Sequence, residues 1–415
     1  MGFPMETTQS PASDPLAQQS AEKGKVRIAV IGVGNMGSSH VRDLAANPNV
    51  ELAAICDTDH ATADRVAAQY HVPAYYDAID LLDRVQPQAI TIATPHYFHT
   101  PISITAFERG MHVLTEKPLA VHVRDGHRMI AAYEQAKQQH PGLQFAIMFQ
   151  QRTHGFWRKI KQMIDGGELG RITRTSWIIT DWFRPQAYYD SSGWRATWAG
   201  EGGGVLLNQC PHNLDLYQWF VGMPQRVTGI VGIGKYHPIE VEDEVTGVFE
   251  HENGPIGHFV ATTAESPGTN RLEIVGENGR LVFENGELVF YRNTSSMLDF
   301  LETSLKLWDK VPCQKEVVEY DHSGKAGHGA VLENFASAIL TGEALVAPAV
   351  EGIRSLTLSN SILYSSFLRR PLDLPFDEEA YAARLEELVR DSKFKKTVRD
   401  ITCTDEDLQK AFGFH

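Results

Sequence analysis

Two short segments hold residues whose types and spacing suit proton transfer. In the first, Lys117 lies between a glutamate and a proline, in the order Glu-Lys-Pro. In the second, Asn208 precedes His212 by four residues, a spacing that places both side chains on one face of a helix. Pro211 is typical of a first helical position, and the positive end of a helix disfavours a protonated imidazole in its first turn. A neutral histidine that accepts a hydroxyl proton, near a lysine that holds the oxygen, is what removal of hydride from an alcohol requires.

A loop over residues 181–204 is rich in aromatic and arginine side chains. Aromatic faces can stack on a sugar ring, and guanidinium groups can donate paired hydrogen bonds to its hydroxyls. Some of these aromatic residues would instead form a small core under the loop. The predicted substrate-binding residues are Lys117, Arg152, Trp182, Arg184, Tyr188, Trp194, Arg195, Asn208 and His212.

The first element that must position these residues is a strand, glycine turn and helix over Lys25–Asp57. The G-x-G-x-x-G glycines allow a tight turn, close approach of a pyrophosphate and close packing of the helix, whose free N–H groups face the phosphates. Asp57, at the end of the next β-rich run, can accept hydrogen bonds from an adenosine ribose. No basic residue follows Asp57, which favours NAD over NADP; the alternative is an α/β turn without a ligand. The residues predicted to contact the pyrophosphate are Gly32, Gly34, Asn35, Met36 and Gly37.

Two further segments are predicted to lie on the nicotinamide side of the cofactor. Thr94, Pro95 and His96 follow the fourth predicted strand, with His99 close behind, and Glu116 and Lys117 follow the fifth. Ligands of doubly wound sheets bind beyond the carboxyl ends of the strands. His99 could equally cap or line the following helix, and the alternative for Lys117 is a surface lysine.

The chain is predicted to be an α/β protein with two main domains. Strand and helix patterns alternate to about residue 150, as in a Rossmann doubly wound parallel sheet. Short strands separated by Glu-Asn-Gly turns follow, as in a C-terminal α+β domain with an open-faced, mainly antiparallel sheet. The predicted units are a disordered tail over 1–24, an NAD-binding domain over 25–150, a substrate and oligomerisation domain over 151–375 and a helical tail over 376–415.

Composition excludes several classes of partner. Acidic residues outnumber basic ones by 52 to 38, for a net charge of −14, which argues against a nucleic-acid surface. No apolar run approaches the length of a membrane helix. The four cysteines are scattered without a C-x-x-C pair, so we expect a reduced, cytoplasmic protein without a metal site.

These motifs together resemble the glucose–fructose oxidoreductase / inositol dehydrogenase / rhizopine catabolism (Gfo/Idh/MocA) family. The resemblance runs from about Lys25 to Leu374 and rests on GVGNMG, ATPHYFH, HVLTEKPLA and GGGVLLNQCPHNLD. It implies a nicotinamide-binding domain, a C-terminal open-faced sheet through which many members form dimers or tetramers, and NAD(P)-dependent chemistry on a sugar, cyclitol or glycoside hydroxyl. By this resemblance, Lys117 corresponds to the family's catalytic lysine and His212 to its catalytic histidine.

The sequence departs from the family pattern at two positions. Many members have an aspartate where this chain has Asn208. Asn208 is still predicted to be a catalytic residue, since an asparagine can orient the substrate or the imidazole, but it supplies no negative charge to raise the basicity of His212. Lys117 would then carry more of the proton transfer. Many members also have asparagine where this chain has His96.

Three functions are compatible with this sequence. The leading hypothesis is an NAD-dependent dehydrogenase that acts on a secondary hydroxyl of a sugar, glycoside or cyclitol. The second is redox-neutral cleavage or epimerisation of a glycoside with transient oxidation. The third, least favoured because Lys117 and His212 are both retained, is a sugar- or nucleotide-sensing regulator.

Overall fold

The N-terminal half forms a six-stranded parallel sheet. The computed structural model describes residues 24–392 and Val398, so the predictions for residues 1–23 and for most of 393–415 lie outside the described residues. The strand order is β3-β2-β1-β4-β5-β6, and all strand pairs are parallel, as expected for a doubly wound sheet. The strands are β1 Val26–Ile31, β2 Val50–Cys56, β3 Ala74–Tyr75, β4 Ala89–Ile92, β5 His112–Thr115 and β6 Phe145–Ile147.

Five helices connect these strands. Side chains that accept a backbone N–H begin three of them: Asp59, Asp77 and His122 each bond the residue three positions on, which satisfies donors that a helix leaves unpaired. The predicted alternation is confirmed, and the observed boundaries lie within a few residues of the predicted ones. The helices are α1 Asn35–Ala45, α2 His60–Tyr70, α3 Ala78–Val85, α4 His99–Phe107 and α5 Val123–Gln139.

The C-terminal half contains a nine-stranded, mainly antiparallel sheet with one parallel pair, β7 with β10. The three Glu-Asn-Gly turns join β9 to β10, β11 to β12 and β12 to β13, so the predicted hairpins are confirmed. The strands are β7 Ile172–Ile179, β8 Arg226–Ile233, β9 Glu242–Glu250, β10 Ile256–Thr262, β11 Asn270–Gly276, β12 Gly279–Glu284, β13 Glu287–Asn293, β14 Cys313–Val317 and β15 Leu372–Asp373.

Helices cover one face of this sheet and contribute to the largest apolar core, which includes Trp157, Tyr217 and Ile362. The final helix belongs to the predicted helical tail. The helices are α6 Gly155–Asp165, α7 Gln186–Asp190, α8 Val205–Asn208, α9 Pro211–Val221, α10 Met297–Thr303, α11 His328–Thr341, α12 Gly352–Leu368 and α13 Glu378–Asp391.

One late segment returns to the first sheet. Helix α11 packs its Val331, Leu332 and Phe335 into the core around β1 and α1, and Ala146 in β6 pairs with Pro348. This segment lies within the predicted substrate domain but completes the nucleotide-binding half.

Among the described residues, no helix has both the length and the hydrophobicity to cross a membrane.

Candidate active site

The glycine turn between β1 and α1 has the geometry that the sequence predicts. Gly32 adopts a φ of +84°, which favours glycine. A Cβ on Gly37 would lie 1.8 Å from the Gly32 carbonyl oxygen, whereas a Cβ on Gly34 would have no heavy atom within 4 Å. Gly37 therefore permits the helix to pack on the turn, and Gly34 leaves open space in front of the free N–H groups at Asn35 and Met36. This cradle fits a pyrophosphate.

Asp57 fixes the other end of this cradle. Its Oδ2 accepts the N–H of Val33 at 2.8 Å, and its Oδ1 accepts the N–H of Asp59 at 2.9 Å. Each carboxylate oxygen keeps further acceptor capacity. The carboxylate therefore lies where ribose hydroxyls could donate to it.

The segment after β4 links the two halves of the cleft. His96 is buried, and its Nδ1 lies 3.0 Å from the carbonyl oxygen of Glu201; burial lowers the pKa of His96 well below its usual value, so a neutral ring donates to that carbonyl. The ring of His99 lies within 3.0 Å of the carbonyl oxygens of Pro118 and Thr94 and is fully buried. For His99 this contact pattern favours the alternative in which it lines the following helix.

Lys117 lies at the exit of β5, partly exposed at the floor of the cleft. Its Nζ donates to the main-chain carbonyl of Asn208 at 2.7 Å, and burial is the main reason that its pKa is lowered. The preceding Glu116 turns away from the cleft, and its Oε1 lies 3.0 Å from Nε2 of His40 on α1. Burial raises the pKa of Glu116, but the close approach and charge of His40, with smaller contributions from His328 and Lys117, outweigh burial and lower the pKa to about 2.

His212 lies in the first turn of α9, as predicted, and is buried. Asn208 ends the separate helix α8, so the expectation that Asn208 and His212 share one helical face is wrong: the chain turns at Gln209 and Cys210. Burial lowers the pKa of His212 well below its usual value, with the charge of Lys117 acting in the same direction. The imidazole is therefore neutral at pH 7.

The amide Nε2 of Gln150, in the short turn after β6, lies 3.3 Å from Nε2 of His212. Neither Oε1 of Gln150 nor Nδ1 of His212 has a hydrogen-bond partner among the described residues. The buried hydroxyl of Thr94 also lacks one. Buried polar atoms normally have a partner, so their position beyond the carboxyl ends of β4 and β6 fits a bound polar molecule.

The aromatic and arginine loop forms a wall beside Lys117, centred on Tyr188. Arg195 Nη1 and Gln209 Nε2 donate to the hydroxyl of Tyr188 at 2.6 and 3.2 Å, and this hydroxyl donates to Oδ1 of Asn208 at 3.1 Å. The guanidinium of Arg184 lies over the rings of Tyr188 and Trp182, 5.1 and 5.4 Å from their centroids. These predicted residues are therefore brought together.

Trp194 lies at the end of this wall that faces His96. Its ring meets that of His96 edge-on at a centroid distance of 5.5 Å, and the guanidinium of Arg195 lies 4.8 Å from its centroid. Glu201, which sequence reasoning missed, completes the wall: its Oε1 accepts the side-chain N–H of Asn208, and its Oε2 accepts the N–H of Ala196. Its place in the glycine-rich run, close to the aromatic residues, was the only signal.

Arg152 does not join this wall, which corrects the prediction that it binds substrate. It is buried, with Nε and Nη2 bonded to Asp215 at 2.8 and 2.7 Å and Nη1 bonded to Glu351 at 2.6 Å. A guanidinium held by two carboxylates has little donor capacity left for a sugar. Its role is to join the segment after β6 to α9 and to the turn before α12.

No group of three or more metal-ligating side chains occurs among the described residues.

Comparison with known proteins defines the class. Residues 26–141 match a family model described as "Oxidoreductase family, NAD-binding Rossmann fold", and residues 157–282 match one described as "GFO/IDH/MocA C-terminal domain". The protein is thus an oxidoreductase whose N-terminal domain binds NAD. More particularly, the chain belongs to the Gfo/Idh/MocA family, as its motifs suggested.

Several relatives are similar over most of their length. The scyllo-inositol 2-dehydrogenase (NAD(+)) of Bacillus subtilis is 24% identical over 266 residues, which cover 62% of this chain and 73% of that protein. The levoglucosan dehydrogenase of Pseudarthrobacter phenanthrenivorans is 27% identical over 292 residues, with the same coverage of 62% and 73%. The crystal structure of the WlbA dehydrogenase from Bordetella pertussis, in complex with NADH and UDP-GlcNAcA, has a TM-score of 0.70 at 25% identity and covers 85% of this chain and 100% of that one.

Proposed function

We propose that this protein is an NAD-dependent dehydrogenase that acts on a secondary hydroxyl of a sugar, glycoside or cyclitol. One observation carries the proposal: Lys117 Nζ is bonded to the main chain of Asn208, four residues before His212, so an ammonium and a neutral imidazole border one cleft at the edge of the cofactor-binding sheet. The relatives named as inositol and levoglucosan dehydrogenases support the substrate class.

Lys117 and His212 divide the handling of the hydroxyl group between them. The ammonium of Lys117 holds the hydroxyl oxygen and stabilises the negative charge that grows on it. The imidazole of His212, kept neutral by burial, accepts the hydroxyl proton. Bound NAD would supply the acceptor for the hydride that leaves the carbon bearing this hydroxyl.

The cofactor is held by the residues whose geometry fits it. The open backbone at Gly34 and the first N–H groups of α1 bind the pyrophosphate, and Asp57 binds the adenosine ribose. Thr94 and His96 lie along the nicotinamide half, where the unpartnered hydroxyl of Thr94 can bond a polar group of the cofactor, whereas the side chain of Glu116 turns away towards His40. NAD is preferred to NADP because the carboxylate of Asp57 repels a 2′-phosphate.

The wall around Tyr188 binds the substrate. Trp182 and Trp194 offer aromatic faces for a sugar ring, and Arg184 and Arg195 offer planar donors.

We also propose that the protein works in the cytoplasm, supported by the free cysteines Cys56, Cys210 and Cys313. We propose further that it forms a homodimer or homotetramer through the open face of the nine-stranded sheet.

The test is NADH absorbance during incubation with NAD and a panel of sugars, glycosides and inositols. K117M and H212N should each lower kcat/KM at least 100-fold on an accepted substrate. The matched controls are K306M and H127N, at exposed positions outside the cleft, which should change it less than twofold. Because the pKa of His212 is lowered, its accepting form persists in acid, and kcat/KM should stay flat to below pH 6.

Other outcomes identify the other functions. Product formation without accumulation of NADH would indicate redox-neutral chemistry. Binding of NAD with no turnover across the panel, and copurification of a partner protein, would indicate a sensor. Full activity of both K117M and H212N would contradict the proposed site.

A further inference from the structure

The carboxylate of Glu201 is one of the most buried charged groups at this site, with 1% of the residue exposed. Its two oxygens hold two different parts of the cleft. Oε2 accepts the main-chain N–H of Ala196 at 2.5 Å, and Oε1 accepts the side-chain N–H of Asn208. A single side chain thus links the loop before it to the helix after it.

The contact with Ala196 stabilises an uncommon backbone conformation. Ala196 has a φ of +57° and is buried, and a residue with a Cβ rarely adopts this left-handed conformation. This turn directs Arg195 back to Tyr188, where its Nη1 bonds the hydroxyl at 2.6 Å and its guanidinium lies 4.4 Å from the ring centroid. Without the carboxylate, the N–H of Ala196 would be buried without an acceptor. Buried main-chain N–H groups in folded proteins rarely lack one.

The contact with Asn208 reaches the proposed catalytic lysine. The side chain of Asn208 lies between Glu201 and the hydroxyl of Tyr188, while its main-chain oxygen accepts from Lys117 Nζ. Because the amide is bonded at both ends, Glu201 decides which way it faces. The wall and the lysine therefore share one support.

Both carboxylate oxygens of Glu201 accept N–H groups, as those of an ionised carboxylate do. Burial raises its pKa, and the opposing effects of Arg195, the N–H of Ala196, Asn208 and Lys117 reduce that rise without cancelling it. Arg184 also faces Lys117 and lowers its pKa. Glu201 thus provides a negative charge within the wall, close to the positive charges of Lys117 and Arg195.

The backbone on either side fixes where this carboxylate lies. A Cβ on Gly200 would lie 2.3 Å from the carbonyl oxygen of Trp194, and one on Gly204 would lie 2.0 Å from that of Glu242. The carbonyl of Glu201 itself lies 3.0 Å from Nδ1 of His96. The glycine-rich run therefore brings the chain close enough for Glu201 to reach both partners.

We propose that Glu201 is the positioning residue that holds the substrate wall, Arg195 and Tyr188 above all, in register with Lys117. The assignment of these residues to a substrate wall rests on the proposed function. The role is one of binding geometry rather than of proton transfer, since the carboxylate of Glu201 acts on the cleft through its hydrogen bonds to Ala196 and Asn208.

An exchange of donor and acceptor tests this proposal. E201Q places an amide against the amide of Asn208, and N208D places a carboxylate against that of Glu201. E201Q/N208D restores a matched pair with the carboxylate moved to the other partner. We expect E201Q to raise KM for an accepted sugar at least tenfold with kcat changed less than threefold, N208D to raise KM at least tenfold, and the double variant to return KM to within threefold of the wild type.

Hydrogen–deuterium exchange gives a readout that needs no substrate. Peptides covering residues 194–204 should exchange at least tenfold faster in E201Q and regain protection in E201Q/N208D, while peptides from β1 and α1 stay unchanged. If E201Q does not fold, N208D alone should show the faster exchange at pH 8 and recover at pH 5, where the two carboxylates can share a proton.

Two results would overturn the proposal: wild-type protection of residues 194–204 in E201Q, or a loss in E201Q that N208D does not restore. Failure of the proposed function is distinguishable. A wild-type protein that oxidises no sugar contradicts the function, whereas the exchange data judge Glu201 by themselves.

Discussion

At the scale of single residues, we propose that Asp57 selects NAD over NADP. Its carboxylate supports the turn through Val33 and faces the expected ribose position. D57S keeps an oxygen for the turn but loses the negative charge, so we expect the Kd for NAD to rise about tenfold and the Kd for NADP to fall. Fluorescence titration measures both, with D64S, an exposed aspartate bonded to Tyr76, as the matched control. If D57S excluded NADP as completely as the wild type does, another group would have to select the cofactor.

The buried pair of His40 and Glu116 predicts a particular response to acid. The pKa of Glu116 falls from 4.5 to about 2 on folding, so its contribution is present above pH 4.5 and is lost as the pH falls towards 2. The corresponding free energy is at most about 3 kcal/mol. H40Q keeps a donor but no charge, and we expect it to unfold more readily at pH 7 and to depend less steeply on pH between 4.5 and 2.

Urea denaturation at a series of pH values measures this difference. The matched control is H127Q, where an exposed histidine faces Glu378 at 2.8 Å; surface pairs contribute little. Equal dependence on pH in H40Q and the wild type would contradict the pairing.

The site residues that can be predicted from the sequence are those whose position follows from a short local motif. Glycines at fixed spacing and a lysine at a strand end follow from the needs of a turn and of a sheet edge, and so could be predicted. Glu201 could not, because its partners Ala196 and Asn208 reach it only through the path of an irregular loop. Arg152 was placed at the substrate by residue type, but burial with Asp215 and Glu351 gives it a structural role.

At the scale of elements, helix α8 depends on a carboxylate from a strand. Glu242 in β9 is buried, and its Oε1 accepts the N–H groups of Gly204 and Leu206 at 2.9 and 3.0 Å. It therefore begins the short helix that ends at Asn208. Burial raises the pKa of Glu242 from 4.5 to about 7, with the charge of Glu201 a smaller contribution in the same direction.

The raised pKa sets the sign of a pH effect. The folded protein holds this proton more tightly than the unfolded chain, so the stability that Glu242 contributes is fully present below pH 4.5 and is lost as the pH rises through 7. E242Q keeps the accepting oxygen and cannot ionise. We expect its Tm to exceed that of the wild type by several degrees at pH 8 and to approach it at pH 5.

Scanning calorimetry at both pH values measures this, and E244Q is the matched control because Glu244 lies two positions along the same strand and is partly exposed, paired with Lys235. An E242Q protein that loses stability equally at pH 5 and pH 8 would show that the charge is not the cause.

Most elements could be predicted because their signals are local. Alternating strand and helix patterns and the three Asn-Gly turns indicate where each element lies. The return of α11 to the first sheet could not be predicted in this way. Its apolar face suits either core, and only the packing of Phe335 against the residues of β1 and α1 decides between them.

At the scale of the whole molecule, Arg152 explains how the two halves stay in register. It follows β6 of the first sheet and binds Asp215 on α9 and Glu351 before α12. Helix α9 also carries His212, so this buried ion pair fixes the distance between the cofactor-binding sheet and the proposed proton acceptor. Removal of one partner from such a group leaves an uncompensated buried charge.

The open face of the second sheet suits contact with a second copy of the chain. Ile230, Thr246, Val260 and Ile178 are successive cross-strand neighbours, and their row crosses the face that the helices leave uncovered. Ile230 is 68% exposed and Ile256 is 51% exposed. Apolar side chains set among polar ones on a broad surface are typical of oligomer interfaces.

We therefore expect I230E to dissociate the assembly, because the glutamate would be buried without a partner. A weakening of at least 100-fold in Kd, about 2.7 kcal/mol, should bring the mass measured by light scattering to that of the 46.2 kDa chain. I79E is the matched control, since Ile79 is 40% exposed on α3 of the other domain, and it should keep the wild-type mass.

An I230E protein with the wild-type mass would place the interface elsewhere. A wild-type protein that is monomeric at every concentration would exclude the proposed assembly. Because Ile230 lies on the face opposite the helices that carry His212, the I230E monomer should still bind NAD, which separates assembly from cofactor binding.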